Sequence, residues 1–345
     1  MTGVQTCALP ICSDYNDRIG GDGFEVLWHP QYPQRIIGSS YNNRFYVSTD
    51  GGETWTRATQ GIPSDDGPFV SRLSNSPSNP DLIFAVGSSG VYRHTNFGIG
   101  KFGWETIEIP EGWSVNDAVT DQHNVEVSLA NDSIVWAGAG MYPDPDLHIF
   151  LSKNRGLTFD SVPNYKNVKM SYISGIASHP FDKKTAYLLF SLKDKPKILR
   201  TTDFGQTWED ITGFENNKES SNGFPDVMVY SLLVMPYNTN IIWAGTEIGL
   251  FESTDNGSSW HFADNGLPAV SVWQIFIQDN NVVLATHGRG IWTLDLNQVT
   301  VPEMTLEKTT GIAIYPNPGN GDFNFELKND YTGRLSVTFF LYQAD

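Results

Sequence analysis

The chain has 345 residues, 39% of them hydrophobic, and a formal net charge of −17 from 39 Asp and Glu against 22 Lys and Arg. This length holds one large all-β domain and a small additional one. The acidic balance excludes nucleic acid and anionic membrane as natural partners, and no apolar run reaches the roughly 20 residues that span a bilayer.

Both cysteines, Cys7 and Cys12, lie within residues 1–12. That stretch has no basic n-region and a short apolar core, so it makes a poor secretory signal. It resembles the translation of sequencing-library adapter DNA and reads as an artefact or a disordered tail. Beyond it the chain has no cysteine, so neither a disulfide framework nor a Cys-ligated metal site is available. Residues 13–23, with Asp14, Asp17 and Asp22, read as a solvated loop, because their acidic spacing does not match a calcium-binding hand. No metal and no cofactor is expected.

From residue 24 onward the chain is organised by a recurring phrase. It reads Ser48-Thr49-Asp50-Gly51-Gly52-Glu53-Thr54-Trp55 and returns as Thr201-Thr202-Asp203-Phe204-Gly205-Gln206-Thr207-Trp208 and Ser253-Thr254-Asp255-Asn256-Gly257-Ser258-Ser259-Trp260. A looser copy is Ser152-Lys153-Asn154-Arg155-Gly156-Leu157-Thr158-Phe159, and an interrupted one runs from His94 to Gly98 with its aromatic delayed to Trp104. An Asp or Asn side chain bonds the backbone N–H groups just ahead of it and pins a turn. The Gly two residues on takes φ > 0 without a Cβ clash. The closing Trp or Phe is apolar and calls for burial against neighbouring structure. Asp50, Asn154, Asp203 and Asp255 therefore read as turn-holders rather than chemical groups.

The Asp/Asn position falls at 50, 96, 154, 203 and 255, so the phrase recurs at intervals of 46, 58, 49 and 52. Such a period marks a repeat architecture, with roughly 40–50 residues per four-stranded propeller blade. Short Val, Ile and aromatic runs bounded by Gly, Pro and Asn supply the strands. Examples are Ile36-Ile37-Gly38, Val135-Trp136-Ala137 and Ile242-Trp243-Ala244, whereas Tyr187-Leu188-Leu189 fits less well. The predicted fold is an all-β propeller of antiparallel four-stranded blades spanning 13–298. Five blades are complete, and a sixth over 271–296 has three strands, no phrase and no fourth strand. An open ring leaves apolar faces and free edges, so these blades close only if the N-terminal segment supplies the missing strand; the expected form is instead a seven-bladed parent whose earlier blades are absent here.

On these residues the chain resembles the BNR or Asp-box repeat β-propellers, a group that includes sialidases, sortilin-like domains and xyloglucanase-like glycoside hydrolases. The resemblance covers about 24–296. It specifies the fold, but several unrelated activities share the phrase.

After a linker at 299–311 comes Ile312-Ala313-Ile314-Tyr315-Pro316-Asn317-Pro318-Gly319-Asn320-Gly321-Asp322-Phe323-Asn324-Phe325-Glu326-Leu327. This resembles the start of the C-terminal sorting domain of type IX secretion, cut short at 312–345. The resemblance implies export by that machinery, with release or attachment at the outer-membrane surface of a Bacteroidetes-like cell.

In such a propeller the phrase sits at the turn between third and fourth strands, and ligands bind on the opposite face. Two long loops there carry residues that could stack on and hydrogen-bond a sugar, Trp113 with Asp117 and Asp121, and Phe224 with Asp226; closing over the propeller top is their structural reading and sugar binding the functional one. His287 and Arg289 lie in the Thr286–Gly290 turn, with Glu247 at the matching place one blade earlier. An Arg289–Glu247 pair between blades is the structural reading, and a ligand clamp the functional one. Asp117, Asp226 and Glu247 are the carboxylates available to a two-carboxylate glycoside hydrolase, but no spacing selects a pair. The Arg-Ile-Pro phrase of sialidases does not occur. The expected function is a secreted or surface module binding an extracellular glycan or protein, with glycoside hydrolysis as the alternative.

Overall fold

In the computed structural model, residues 18–296 are described apart from 21–22, 65, 110, 114–122, 142–146, 167, 169, 216, 264–265 and 279, together with the strands Gln5–Thr6, Ile312–Tyr315 and Asn324–Leu327. The fold is an all-β propeller of six four-stranded antiparallel blades. Met1–Gln298 form this unit, and Val299–Asp345 form a second one in which Ile312–Tyr315 pairs with Asn324–Leu327.

Each blade is a meander running outward from a central channel. Blade one consists of Val26–Trp28, Ile36–Ser40, Arg44–Ser48 and Thr56–Arg57. Blade two consists of Leu73–Ser76, Asn79–Val86, Gly90–His94 and Glu105–Glu108. Blade three consists of Asn124–Val127, Val135–Gly138, Ile149–Ser152 and Asp160–Ser161. Blade four consists of Met170–Ser178, Ala186–Phe190, Ile198–Thr201 and Glu209–Asp210. Blade five consists of Val229–Val234, Ile242–Thr246, Gly249–Ser253 and His261–Phe262. Blade six consists of Val272–Gln278, Asn281–Thr286 and Gly290–Asp295, with Gln5–Thr6 as its fourth strand. A further two-residue strand, Gly140–Met141, leaves blade three and pairs on the channel edge of Met170–Ser178 in blade four.

Two expectations are corrected. Blade six has a fourth strand, because Gln5 pairs with Thr293 and Thr6 with Trp292. A two-residue strand carries no periodicity that a sequence pattern could reveal. The Tyr187-Leu188-Leu189 run is an ordinary second strand, buried throughout between the blades on either side.

Strands alternate their faces, so every middle strand is apolar on both sides and consecutive blades pack sheet on sheet. Five buried clusters result. Blades one and two enclose Ile37, Phe45, Ile83 and Tyr92, and blades two and three enclose Phe84, Val91, Trp113 and Phe150. Trp136, Leu188 and Trp208 join blades three and four, Tyr187, Phe224 and Trp260 join four and five, and Trp243, Val272 and Leu284 join five and six.

The phrase forms one turn in every copy. In the first, Gly52 N donates to Ser48 Oγ at 2.8 Å, Ser48 Oγ donates to Asp50 Oδ1 at 2.7 Å, and Thr54 N donates to Asp50 Oδ1 at 2.9 Å. The copies at Asp203 and Asp255 repeat all three bonds. Asn154 accepts from Thr158 N at 3.0 Å in the same way. In blade two a histidine stands in for the hydroxyl: His94 Nδ1 accepts from Asn96 N and Gly98 N at 3.0 and 3.1 Å. Burial holds the His94 pKa below its ordinary value, partly offset by the Phe102 carbonyl, so the ring stays neutral and Nδ1 stays an acceptor. The residue before the glycine is left-handed as well, at φ 48–62° for Phe97, Arg155, Phe204 and Asn256.

Candidate functional site

Each blade starts at one end of the channel with its inner strand, returns with its second strand, and turns there into the third. That end carries the second-to-third turns and the starts of the inner strands, and the Asp-box turns lie at the other end. A cavity of about 690 Å³ opens where the inner strands begin. All six blades contribute to it: Glu25, Arg72, Asn124, Ser174, Tyr230 and the pair Trp273–Gln274 come from blades one to six in turn.

Its two sides differ in chemistry. On one side Arg72 Nη1 meets Glu25 Oε1 at 3.3 Å, and Gln274 Nε2 donates to Glu25 Oε2 at 3.4 Å. Burial pushes the Glu25 carboxyl above its ordinary value, and the Arg72 charge and the bonds from Arg72 and Gln274 offset this in part. On the other side three rings run in a row. Tyr230 and Trp273 have centroids 5.9 Å apart, and Trp273 and His287 are 4.9 Å apart. Trp273 is 54% exposed, so this shelf is open. Burial raises the Tyr230 pKa, with the Glu247 charge adding to it, which keeps the phenol neutral. A half-buried carboxylate, Glu126, also occupies the inner strand of blade three. It accepts from Ser178 Oγ at 2.8 Å and Ser74 Oγ at 3.4 Å, from the blades on either side. Burial raises its pKa to about 7, against the lowering effect of the two serines.

The residues singled out in the sequence scatter. His287 lines the cavity. Trp113 is 2% exposed, donates Nε1–H to the Gly87 carbonyl at 3.0 Å and belongs to the core between blades two and three. Phe224 is equally buried and packs on Trp260 with centroids 5.0 Å apart. Neither ring is open to a ligand. Asp226 neutralises the buried Lys197 and accepts from Asp194 N at 3.1 Å. Burial acts to raise Asp226, but the Lys197 hydrogen bond, the Asp194 amide and the Lys197 charge outweigh it and hold the carboxyl below its usual value. Glu247 accepts from Met228 N at 3.2 Å. It forms no ion pair with Arg289, whose carbonyl accepts from Trp292 Nε1 at 3.1 Å. Asp117 and Asp121 lie outside the described residues. No group of three or more His, Cys, Asp or Glu suits a metal ion among the described residues.

Glu25, Arg72, Tyr230, Trp273 and Gln274 escaped the sequence reading, which looked to long loops. The signal present was positional: each is at or just before the first residues of an inner strand, where one alternating face meets the channel.

The turn geometry and the ring of blades decide the type. The chain folds as a β-propeller that carries a BNR/Asp-box repeat. The BNR/Asp-box repeat matches residues 46–57, the first phrase. No curated protein matches this chain at the level of sequence. An ancestral GH74 enzyme shares the fold at a TM-score of 0.55 and 15% identity, over 95% of this chain and 40% of its own. The GH74 xyloglucanase from Xanthomonas campestris aligns at a TM-score of 0.46 and 16% identity, over 82% of this chain and 54% of its own. YCF48 from Cyanidioschyzon merolae aligns at 0.43 and 12% identity, over 81% and 96%. The chain thus spans about half or less of the length of the two GH74 proteins.

Proposed function

We propose that this propeller is a recognition module that takes an extracellular glycan at the mouth of its channel. The observation that carries the reading is the pairing of an open aromatic shelf, Tyr230–Trp273–His287, with the polar Glu25–Arg72–Gln274 group across one cavity. A largely apolar cavity with a few convergent polar groups is the usual form of a small-molecule site. The flat indole of Trp273 suits the C–H face of a sugar ring, and Arg72, Gln274 and Asn124 suit its hydroxyls. Binding rather than hydrolysis is favoured because glycoside hydrolysis uses two carboxylates roughly 5–9.5 Å apart. Among the described lining residues Glu25 is the one carboxylate, and Arg72 already engages it.

Export through residues 312–345 by type IX secretion, to the medium or the outer-membrane surface, completes the proposal. The Tyr315-Pro316-Asn317-Pro318 phrase and the hairpin of Ile312–Tyr315 with Asn324–Leu327 support it. Loss of secretion from a type IX-competent cell on deletion of 312–345 is the expected result.

A glycan array and a polysaccharide-hydrolysis screen on the full chain test the binding site. Retained glycan that is lost with Trp273→Ala supports the module. Released sugar makes the chain a hydrolase, with Asp117 the first carboxylate to replace. Neither result, with a peptide library retained instead, moves the site to protein partners.

A further inference from the structure

Three histidines do one job on the box face. His29 and His179 each follow an inner strand and precede a proline, where the chain turns toward the second strand. His29 Nδ1 accepts from Gln31 N and Tyr32 N, both at 3.1 Å. His179 Nδ1 accepts from Phe181 N at 3.1 Å and Asp182 N at 2.9 Å. In blade two His94 Nδ1 holds the box turn through Asn96 N and Gly98 N. An imidazole nitrogen that accepts carries no proton, so each ring is neutral with its hydrogen on Nε2. The box turns rest on the first-to-second turns beside them: Gly51 N donates to the Gln34 carbonyl at 2.9 Å, Phe97 N to the Asp81 carbonyl at 2.8 Å, and Phe204 N to the Lys184 carbonyl at 3.1 Å.

Blades three and five build the same turns without an imidazole. Ser128 and Met235 stand where His29 and His179 stand, because each of the four amides donates to the carbonyl six residues on. Ser48, Ser152, Thr201 and Ser253 stand where His94 stands. None of these side chains titrates near neutral pH. Little around the three rings favours a proton. Among the described residues no charged group acts on His94, whose Nε2 donates to the Phe102 carbonyl at 3.0 Å with Trp104 against the ring. Asp182 and Arg200 act on His179 with opposite signs. Asp81 comes within 3.4 Å of His29 Nε2, but Arg35 opposes it, and Tyr32 and Phe97 pack on the ring. Burial holds all three imidazoles below the ordinary histidine value.

We propose that these imidazoles form an acid-sensitive latch, which opens the box face of blades one, two and four and leaves blades three and five closed. A proton on Nδ1 replaces the acceptor of two amide hydrogens by a third donor, so the turn loses both bonds and is pushed open. The box turn resting on it loosens in the same step. The sign follows from linkage. The folded chain binds fewer protons at these sites than the unfolded chain, so the stability they add is present above the unfolded value of about 6.5. It is lost as pH falls from there to the lowered folded values. That window lies above the one in which the box aspartates protonate, so the two steps separate. His94 makes the strongest part of the latch, and His29, with Asp81 beside it, the weakest.

Urea unfolding of the full chain at about pH 7.5 and pH 5 tests this, read as the ratio of variant to parent folding constants so that other titrating groups cancel. His94→Ser installs the hydroxyl that the other boxes use. Its ratio should rise about tenfold from the higher pH to the lower. His179→Met copies blade five and should give a smaller rise in the same direction. A ratio for His94→Ser that does not change with pH would overturn the latch. If that variant does not fold, amide exchange in the parent decides. Corrected for the intrinsic effect of pH, exchange at Gln31, Tyr32, Asn96, Gly98, Phe181 and Asp182 should quicken severalfold over the same interval. Exchange at Asn131 and Asn238, whose amides bond the Ser128 and Met235 carbonyls, should hold steady. A uniform change, or none, would sink the idea.

Discussion

On the box face the Asp or Asn side chain of each turn bonds within its own copy of the phrase, whereas the channel mouth is assembled from single side chains sent by six different blades. The Asp50 side chain makes its hydrogen bonds to Ser48 and Thr54 of its own turn, and the turn reaches outside residues 48–55 through Gly51 N, which donates to the Gln34 carbonyl at 2.9 Å, and Glu53, which receives Arg18. At the mouth, Glu25 depends on Arg72 from blade two and Gln274 from blade six. Loss of a box Asp or Asn carboxylate or amide should therefore stay within one turn, and damage at the mouth should report on closure of the whole ring.

The anchor gives the largest effect. Trp208 is 7% exposed, packs edge-on to Trp136 and donates to the Pro163 carbonyl. Trp208→Ala should cost about 3–5 kcal/mol in chemical denaturation, and a loss under about 1 kcal/mol would mean that the aromatic is no anchor. Next comes the mouth. Arg72→Ala leaves the Glu25 carboxylate without its cation. Glu25 already has a folded pKa above its unfolded value, so its ionisation costs stability as pH rises past the unfolded pKa, and the variant steepens that loss. The expected cost is small at pH 4 and about 1–2 kcal/mol at pH 8, discounted for the partly exposed Arg72. A cost independent of pH would break the link between the pair and closure.

Glu126→Gln sharpens the comparison from the other direction. With a folded pKa raised to about 7, Glu126 favours the folded state while protonated and loses that advantage as pH rises from its unfolded value through 7. The glutamine variant should match the parent near pH 4 and exceed it by up to about 3 kcal/mol at pH 8, read as a melting temperature that falls less over that range. The smallest effect belongs to a single box. Asp203→Asn should change stability by less than about 1 kcal/mol at pH 7, because Asn154 holds the equivalent turn in blade three. The acid limb is more informative. Thr54, through its side chain first and then its amide, holds Asp50 at about 2. Asp255 is likewise held below its ordinary value, by Ser259. Burial opposes the lowering at Asp203, but Thr207 and Thr201 prevail. The stability these carboxylates add is present above their unfolded pKa and is lost as pH falls from about 4 toward 2. Replacing all three by Asn should flatten that limb of the unfolding curve.

The box face was legible in the sequence because its geometry is local: residues i, i+2, i+4 and i+6 make the bonds, and their types repeat. Even there one requirement was missed, the left-handed residue before the glycine, which Phe204 and Asn256 meet as readily as Gly51. The mouth was not legible in the same way. Trp113 and Phe224 stood in long loops and looked available, yet both are core anchors, since a loop that crosses the top of a blade also seals it. Trp273 and Arg72 carried no motif, and what makes them a site is the closing of a ring more than two hundred residues around. Gln5–Thr6 completes blade six through backbone bonds that any two residues could make.

One small element bears on how such a chain can be rearranged. Repeat folds grow and shrink by gaining or losing whole units, because each unit touches only its neighbours. Gly140–Met141 breaks that independence: a piece of blade three serves as the channel-edge strand of blade four, with Gly140 opposite Tyr172 and Met141 opposite Met170. A cut or an inserted repeat at that boundary separates a strand from its ladder, whereas the junction of blades four and five carries no such shared strand among the described residues. Blades three and four thus share a ladder, and a circular permutant opened between them should be less stable than one opened between blades four and five.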